Sequence, residues 1–261
     1  MKLSKAAKEA FAIGMAAKFL ATRDETGVPN LAMIATVTPW NDEHLIFGNF
    51  LMWQTQKNLK QGSPVSVTVM TQDFQCWEAR GSFLGFESSG EKFNTMSKNE
   101  IFRYSALGLL RSVGTIAVNE IHPIKMSTLS IGKEWLLTKI TAKRLKDLPE
   151  GKKINPVVVK NASVLQGAKF LTVSRNDHLE QFPVMGLKPC DDYLVIRGDI
   201  PLKMGDQVAV ATLTMDLKAF QIKGTYAGVR RSKGMKLGYI RVTNVKTQTP
   251  PLVSREIPSD N

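Results

Sequence analysis

Gly62-Ser63-Pro64-Val65-Ser66-Val67-Thr68-Val69 is answered later in the chain by Gly205-Asp206-Gln207-Val208-Ala209-Val210-Ala211-Thr212. Each stretch opens on a turn glycine and runs into residues whose valines alternate with small or polar partners, the period of a strand with one face turned inward. The same spacing carries Arg80-Gly81-Ser82-Phe83-Leu84-Gly85 onto Lys223-Gly224-Thr225-Tyr226-Ala227-Gly228. Upstream, Ala17-Lys18-Phe19-Leu20 recurs residue for residue as Ala168-Lys169-Phe170-Leu171, and downstream Ile116-Ala117-Val118 meets Ile240-Arg241-Val242. The landmarks keep their order while the spacing between copies shrinks along the chain. One unit has been duplicated and its second copy shortened.

The chain of 261 residues is long enough for two ordinary domains. Its hydrophobic content of 43% and charged content of 22% are those of a soluble globular protein. No stretch approaches the roughly 20 apolar residues of a membrane span, and the apolar run from Ala10 to Thr22 holds Lys18 and lacks a cleavage site. Cys76 and Cys190 stand at non-equivalent positions of the two copies, so the expectation is buried free thiols and a cytoplasmic location. A net charge of +12 suggests an anionic partner. The basic residues are scattered, with a denser run from Lys139 to Lys153, and no zinc-finger, aromatic RNA-binding or helix-turn-helix pattern accompanies them. Nucleic acid is not expected as a partner, and neither is a membrane.

Ser4 is placed to cap a helix from Lys5 to about Gly14. Short strands follow at Phe19 to Arg23, Asn30 to Val37 and His44 to Gly48, separated by turn residues. A short helix from Gln54 to Gln61 is stopped by Gly62 and Pro64. Strands then run from Val65 and from Phe74 to Phe86, with Gly81 and Gly85 where a strand must bend or admit close approach. A helix over Ser89 to Leu110 precedes a strand from Thr115 to Ile121. The second copy repeats the strands, but has no room for the two later helices between Arg197 and Gly205 or between Gly228 and Ile240. The expected architecture is mainly β (α+β): two tandem antiparallel six-stranded split β-barrels packed as an intrachain pseudo-dimer, with helices mainly in the first unit. The boundaries fall at 1–124 for the first unit, 125–164 for a connector in which Trp135-Leu136-Leu137 packs in part, and 165–261 for a degenerate second unit.

Three segments in order carry chemistry: Gly27-Val28-Pro29-Asn30-Leu31-Ala32-Met33-Ile34-Ala35-Thr36-Val37, then Phe47-Gly48-Asn49, then Gln54-Thr55-Gln56-Lys57-Asn58-Leu59. This set resembles the FMN-binding split-barrel superfamily, the group of pyridoxamine 5′-phosphate oxidase and its relatives. Phe220-Gln221-Ile222-Lys223-Gly224-Thr225 looks like that family's later strand. The resemblance implies FMN as the cofactor. Met33, Ile34 and Ala35 would meet the ring through main chain, Thr36 through its hydroxyl, and Asn49 would reach ribityl or phosphate oxygens. Gln54, Thr55, Lys57 and Asn58 would hold the phosphate, because N–H groups and the dipole point outward where a helix begins. Gln54 stands where the family's usual lysine is, which removes a positive charge from that site. Local alternatives remain open: Thr55 as a first-turn residue, Lys57 as a solvated lysine, Met33 and Ile34 as core.

No catalytic residue is identified. His44, His122 and His178 are dispersed and show no metal-ligand spacing, and no nucleophile elbow, P-loop or Rossmann fingerprint is present. A flavin would itself carry hydride or electron transfer, with the protein supplying binding and orientation. The expected activity is a flavin-mediated oxidoreductase acting on a small molecule. The alternative is a non-enzymatic flavin- or tetrapyrrole-binding module, or a flavin electron carrier, and the cofactor could also be another flavin or a deazaflavin. Loss of the helix near Gln54 from the second copy implies one FMN per chain, in a monomer with an internal pseudo-dimer or in a homodimer.

Overall fold

The computed structural model describes residues 2–50, 52–98, 110–198, 200–249, 253 and 255–259. It is mainly β, with two antiparallel sheets of seven strands each. The first holds β1 (Ala17–Arg23), β2 (Pro29–Met33), β3 (Thr38–Pro39), β4 (His44–Asn49), β5 (Pro64–Met70), β6 (Cys76–Glu87) and β7 (Ser112–Ile124), in the order β2-β1-β5-β6-β7-β4-β3. The second holds β8 (Ala168–Ser174), β9 (Leu179–Pro183), β10 (Gly186–Cys190), β11 (Tyr193–Arg197), β12 (Gln207–Leu213), β13 (Ala219–Ser232) and β14 (Met235–Thr247). Its order is β9-β8-β12-β13-β14-β11-β10, the first sheet with each strand replaced by its counterpart. The duplication is therefore visible strand by strand.

Six strands per unit was one too few. The additional pair is β3 and β10, at one edge of each sheet. Pro39 reads as a turn in sequence because it cannot donate to a ladder, yet an edge strand tolerates that loss. The expected strand through Val37 also stops early, at Met33, and residues 34–37 form a turn before β3.

Among the described residues the helices are α1 (Lys5–Ala12), α2 (Trp53–Asn58), α3 (Glu91–Ser97), α4 (Thr128–Thr141) and α5 (Pro156–Ala162). The Ser4 side chain caps α1 by accepting from the Ala7 N–H at 3.2 Å. The helix expected over Ser89 to Leu110 is seen as α3, and its later part lies outside the described residues. Both α4 and α5 fall in the stretch read as a connector. The α4 helix packs on β10 and β11, and the Trp135 indole N–H holds α5 by donating to the Ser163 carbonyl at 2.9 Å. Ser127 and Asn155 cap these two helices. No described helix lies within 165–261.

Each sheet wraps its own core. Leu20, Phe47, Val65, Val67, Phe83 and Ile116 fill the first; Leu171, Val208, Val210, Ile222 and Ile240 fill the second. A third cluster joins them, where Phe19, Ala21 and Leu31 meet Phe170, Ala209 and Ala211. Phe19 and Phe170 occupy equivalent positions of the repeat, and their rings meet with centroids 5.3 Å apart. Contacts elsewhere are reciprocal: β2 packs on β12, and its counterpart β9 packs on β5. This is the isologous pattern of a two-fold dimer built inside one chain. It also buries the polar face of β5. Ser66 and Thr68 alternate with the inward valines, yet both are fully buried, because Gln181 of the second unit bonds to them.

The repeated lysines Lys18 and Lys169 are buried as well. Burial pushes each pKa down from 10.5 to about 8, and that of Lys223 also falls to about 8 through burial and then repulsion from Lys246. Between about pH 8 and 9 the unfolded chain then holds more protons than the folded one, so folding stability rises with pH across that window. The thiols of Cys76 and Cys190, raised from 9.0 by burial, oppose the trend from about pH 9 upward, and the buried Tyr193, Tyr226 and Tyr239, also raised, oppose it at higher pH still. Thermal unfolding should thus show a midpoint that climbs from pH 8 to pH 9, with a flatter profile in Lys18→Met/Lys169→Met. A midpoint that falls steadily over this range would contradict the burial of these amines in the native state.

Candidate functional site

A largely apolar pocket opens beyond the end of β2. It is lined by Asn30, Ala32, Met33, Ile34, Ala35 and Thr36 from β2 and the turn after it. Gly48, Phe50, Met52, Gln54 and Thr55 line it from the end of β4 and the start of α2. The opposite wall comes from the second unit, as Gln221, Lys246, Gln248 and Val253. Both units are therefore needed to make it.

The turn 34–37 is built by the buried amine of Lys18. Its Nζ donates to the Val37 carbonyl at 2.7 Å and lies 3.5 Å from the Ala35 carbonyl, while the Ile34 N–H bonds to the Lys18 carbonyl. The Thr36 hydroxyl accepts from the Gly48 N–H at 3.0 Å, which ties this turn to β4. A Cβ on Gly48 would stand 2.6 Å from the Phe50 ring, so glycine is what lets Phe50 fold over this corner.

The outer edge of β2 is met by two glutamines of the second unit. Gln248 accepts from the Met33 N–H at 3.0 Å and donates to the Leu31 carbonyl at 2.6 Å. Gln221 donates to the same carbonyl at 2.7 Å and to the Asn30 side chain at 3.1 Å. The main-chain edge that the sequence reading offered to a ring is thus already partnered at Met33.

Of the residues marked from sequence, Met33, Ile34, Ala35, Thr36, Gln54 and Thr55 come together in this pocket. Thr55 is buried, with its hydroxyl 3.4 Å from the Asn30 amide nitrogen. Asn49 is buried behind the corner and donates to the Ser112 hydroxyl at 3.1 Å. Lys57 and Asn58 face a separate groove with Arg23, Asp24 and Lys60, and Asn58 donates to Thr22 at 3.0 Å. Gln54 lines both spaces.

Sequence reasoning missed Lys246, Gln248 and the role of Gln221. No local signal marks them, because their place follows only from the end of β14 returning to β2 of the first unit. It also missed Arg111, whose guanidinium stacks 4.3 Å over the Trp53 ring at the start of α2. A cation therefore stands near the helix start where Gln54 lacks one.

Among the described residues, no group of three or more His, Cys, Asp and Glu is arranged to hold a metal ion. No described helix is long and apolar enough to cross a membrane. Burial pushes the Cys76 thiol up to about 12, so it is an inert core group.

No protein-family model matches the chain, and no curated protein matches it. Solved structures do, several of them over about half of its length. One is a variant of HupZ from Group A Streptococcus, 20% identical, with a TM-score of 0.40 over 46% of this chain and 98% of that one. Another is an FMN-binding protein from Syntrophomonas wolfei, 18% identical, with a TM-score of 0.42 over 46% and 84%. A third is a putative pyridoxamine 5′-phosphate oxidase from Lactobacillus delbrueckii, 16% identical, with a TM-score of 0.38 over 46% and 93%. Over about half of its length it is similar to FMN-binding and pyridoxamine 5′-phosphate oxidase-like proteins.

Proposed function

We propose that the pocket between β2, α2 and the end of β14 binds FMN, and that the chain is a flavin-dependent oxidoreductase acting on a small molecule. The observation that carries this reading is the convergence of Met33, Ile34, Ala35, Thr36, Gln54 and Thr55 on one pocket, from two segments, 33–36 and 54–55, that are separate in sequence. The donor set fits the group. Ala32, Met33, Phe50, Met52 and Val253 offer apolar walls to a flat ring, and Gln54, Gln221 and Gln248 offer amides to its polar rim. Lys246 lines the pocket and Arg111 lies near the start of α2, and both are suited to a phosphate dianion. A bound flavin would supply hydride or electron transfer. The role of this chain's residues is to orient it, with the second unit covering one side, and to exclude water.

The division into a cofactor-binding unit at 1–124, a connector at 125–164 and a covering unit at 165–261 belongs to this proposal, as does closure of each sheet into a split barrel. One cofactor per chain is expected. Among the described residues the second copy has no counterpart of α2 between Arg197 and Gly205. Titration of FMN into the protein, followed by quenching of flavin fluorescence, should saturate at one equivalent per chain. Lys246→Ala should weaken binding about tenfold, the usual worth of one charge-assisted hydrogen bond. Saturation near two equivalents, or no binding by the unsubstituted protein, would refute this reading.

One observation favours the alternative of a non-enzymatic flavin carrier or binding module. Among the described residues lining the pocket, Lys246 is the only titratable one, so proton transfer to a substrate has a single candidate there. Oxidation of reduced nicotinamide by the FMN-loaded protein with an added acceptor distinguishes the two: turnover supports the enzyme, and its absence supports the carrier.

A further inference from the structure

The duplicated lysines have different surroundings, and the difference opens a second pocket. In the first unit four residues, 34–37, separate β2 from β3, and two of their carbonyls surround the Lys18 ammonium. In the second unit only Val184 and Met185 separate β9 from β10. The backbone bond at the start of the turn survives, since Val184 N–H donates to the Lys169 carbonyl as Ile34 N–H does to Lys18. The two carbonyls do not. Lys169 instead donates to the Val164 carbonyl at 2.7 Å. An ammonium has three donors, and this one is only 8% exposed.

Lys169 lines a pocket whose other walls are mainly apolar: Met70, Phe74 and Met126 from the first unit's side, Leu165, Val184 and Met185 from the second. The first turn of α4 forms one side through Thr128 and Ile131. The positive dipole end of that helix has the same sign as the ammonium. Gly132 completes that wall. It sits inside a fourteen-residue helix, where glycine is unfavourable, and a Cβ built there meets no atom within 4 Å. Its missing side chain leaves the pocket open.

We propose that this pocket binds a small apolar monocarboxylate, with the carboxylate on the Lys169 ammonium and the hydrocarbon among the methionines. A buried amine with unfilled donors calls for an anionic oxygen, and unbranched, polarizable methionine side chains adapt to a hydrocarbon body. One negative charge matches one ammonium, whereas a phosphate dianion would lack a second cation: among the described residues, Lys169 is the only charged one lining the pocket. Nothing here rests on the flavin reading of the other pocket.

Decanoate and decanol are the probes, titrated calorimetrically at pH 7 into the full chain below micellar concentrations. The expected result is saturable binding of one decanoate, with decanol weaker by about tenfold. Lys169→Met should erase the preference for the acid. Gly132→Leu should weaken both probes by about tenfold or more, and because leucine is the better helix former it keeps the fold and carries the test if Lys169→Met fails to fold. Lys18→Met, the same change in the closed copy, should leave decanoate affinity within about twofold. The proposal is overturned by absence of saturable decanoate binding, by an acid preference that survives Lys169→Met, by decanoate affinity unchanged in Gly132→Leu, or by displacement of decanoate with FMN, which would mark a second flavin site.

Discussion

Gly81→Ala and Gly224→Ala should each destabilise the protein by at least about 3 kcal/mol, beyond the usual range for overpacking. The two glycines are counterparts in the repeat, and each sits where the register of its long hairpin shifts: between Arg80 and Gly81 on β6, and between Lys223 and Gly224 on β13. A Cβ on Gly81 would fall deep inside the contact distance of the Ala117 carbonyl oxygen. A Cβ on Gly224 would do the same with the Arg241 carbonyl oxygen, the counterpart atom. The obstacle in both cases is backbone of the partner strand, which cannot rotate away as a side chain would. Relief requires β7 or β14 to move, and these strands carry the walls of both cores. Urea denaturation followed by circular dichroism measures the loss, with Gly27→Ala as a control for glycine removal at an open turn, where φ is +83° and a Cβ meets nothing within 4 Å. Gly81→Ala with stability within about 1 kcal/mol of the parent would show that the bulge does not press the strands together as described.

The same glycines show why the fold was legible. Backbone approach at a bulge leaves a mark in sequence because only one residue type fits, and that mark was kept in both copies. Valine alternation in β5 and β12 gave the strands, since a period of two has no helical reading. Features with no local period were lost. Thr38-Pro39 is too short and too proline-rich to announce an edge strand. The α4 helix has its apolar residues spread around its axis, with Leu129, Leu136 and Ile140 exposed, so it shows no stripe. Polar faces misled in the other direction: Ser66 and Thr68 look solvent-facing and are sealed under the second unit.

The candidate site divides along the same line. Met33 to Thr36, Gln54 and Thr55 belong to contiguous motifs and reach the pocket together. Lys57 and Asn58 belong to one of those motifs too, but α2 turns them toward the groove beside Arg23, because successive helical residues point about 100° apart. Lys246 and Gln248 enter through the pseudo-two-fold packing of the units. No sequence window contains that relation.

That packing has a polar centre, and removing it should show the second large effect. Glu78 is buried on β6, where one carboxylate oxygen accepts from the Ser66 hydroxyl at 2.7 Å and from the Gln181 N–H of the second unit at 2.9 Å. The other accepts from Arg80 at 2.9 Å. Its counterpart in the repeat is Gln221, which bonds to the Leu31 carbonyl, and Leu31 is the counterpart of Gln181. The two copies thus reach for the same backbone position in each other, one with an acceptor and one with a donor. Glu78→Ala leaves the Gln181 N–H without its acceptor and strips Arg80 of its nearest anion, with Glu180 and Glu120 remaining at 3.8 and 3.9 Å. Breaking a buried pair from one side costs about 3–5 kcal/mol, whereas Gln221→Ala, which orphans neutral groups, should cost about 1–3 kcal/mol. Glu78→Gln keeps an acceptor for Gln181 and should fall between the parent and the alanine variant. Because the lost bonds span the units, the urea transition of Glu78→Ala should also broaden or split as the two sheets uncouple. A single sharp transition within about 1 kcal/mol of the parent would mean that apolar contact around Phe19 and Phe170 alone holds the units together.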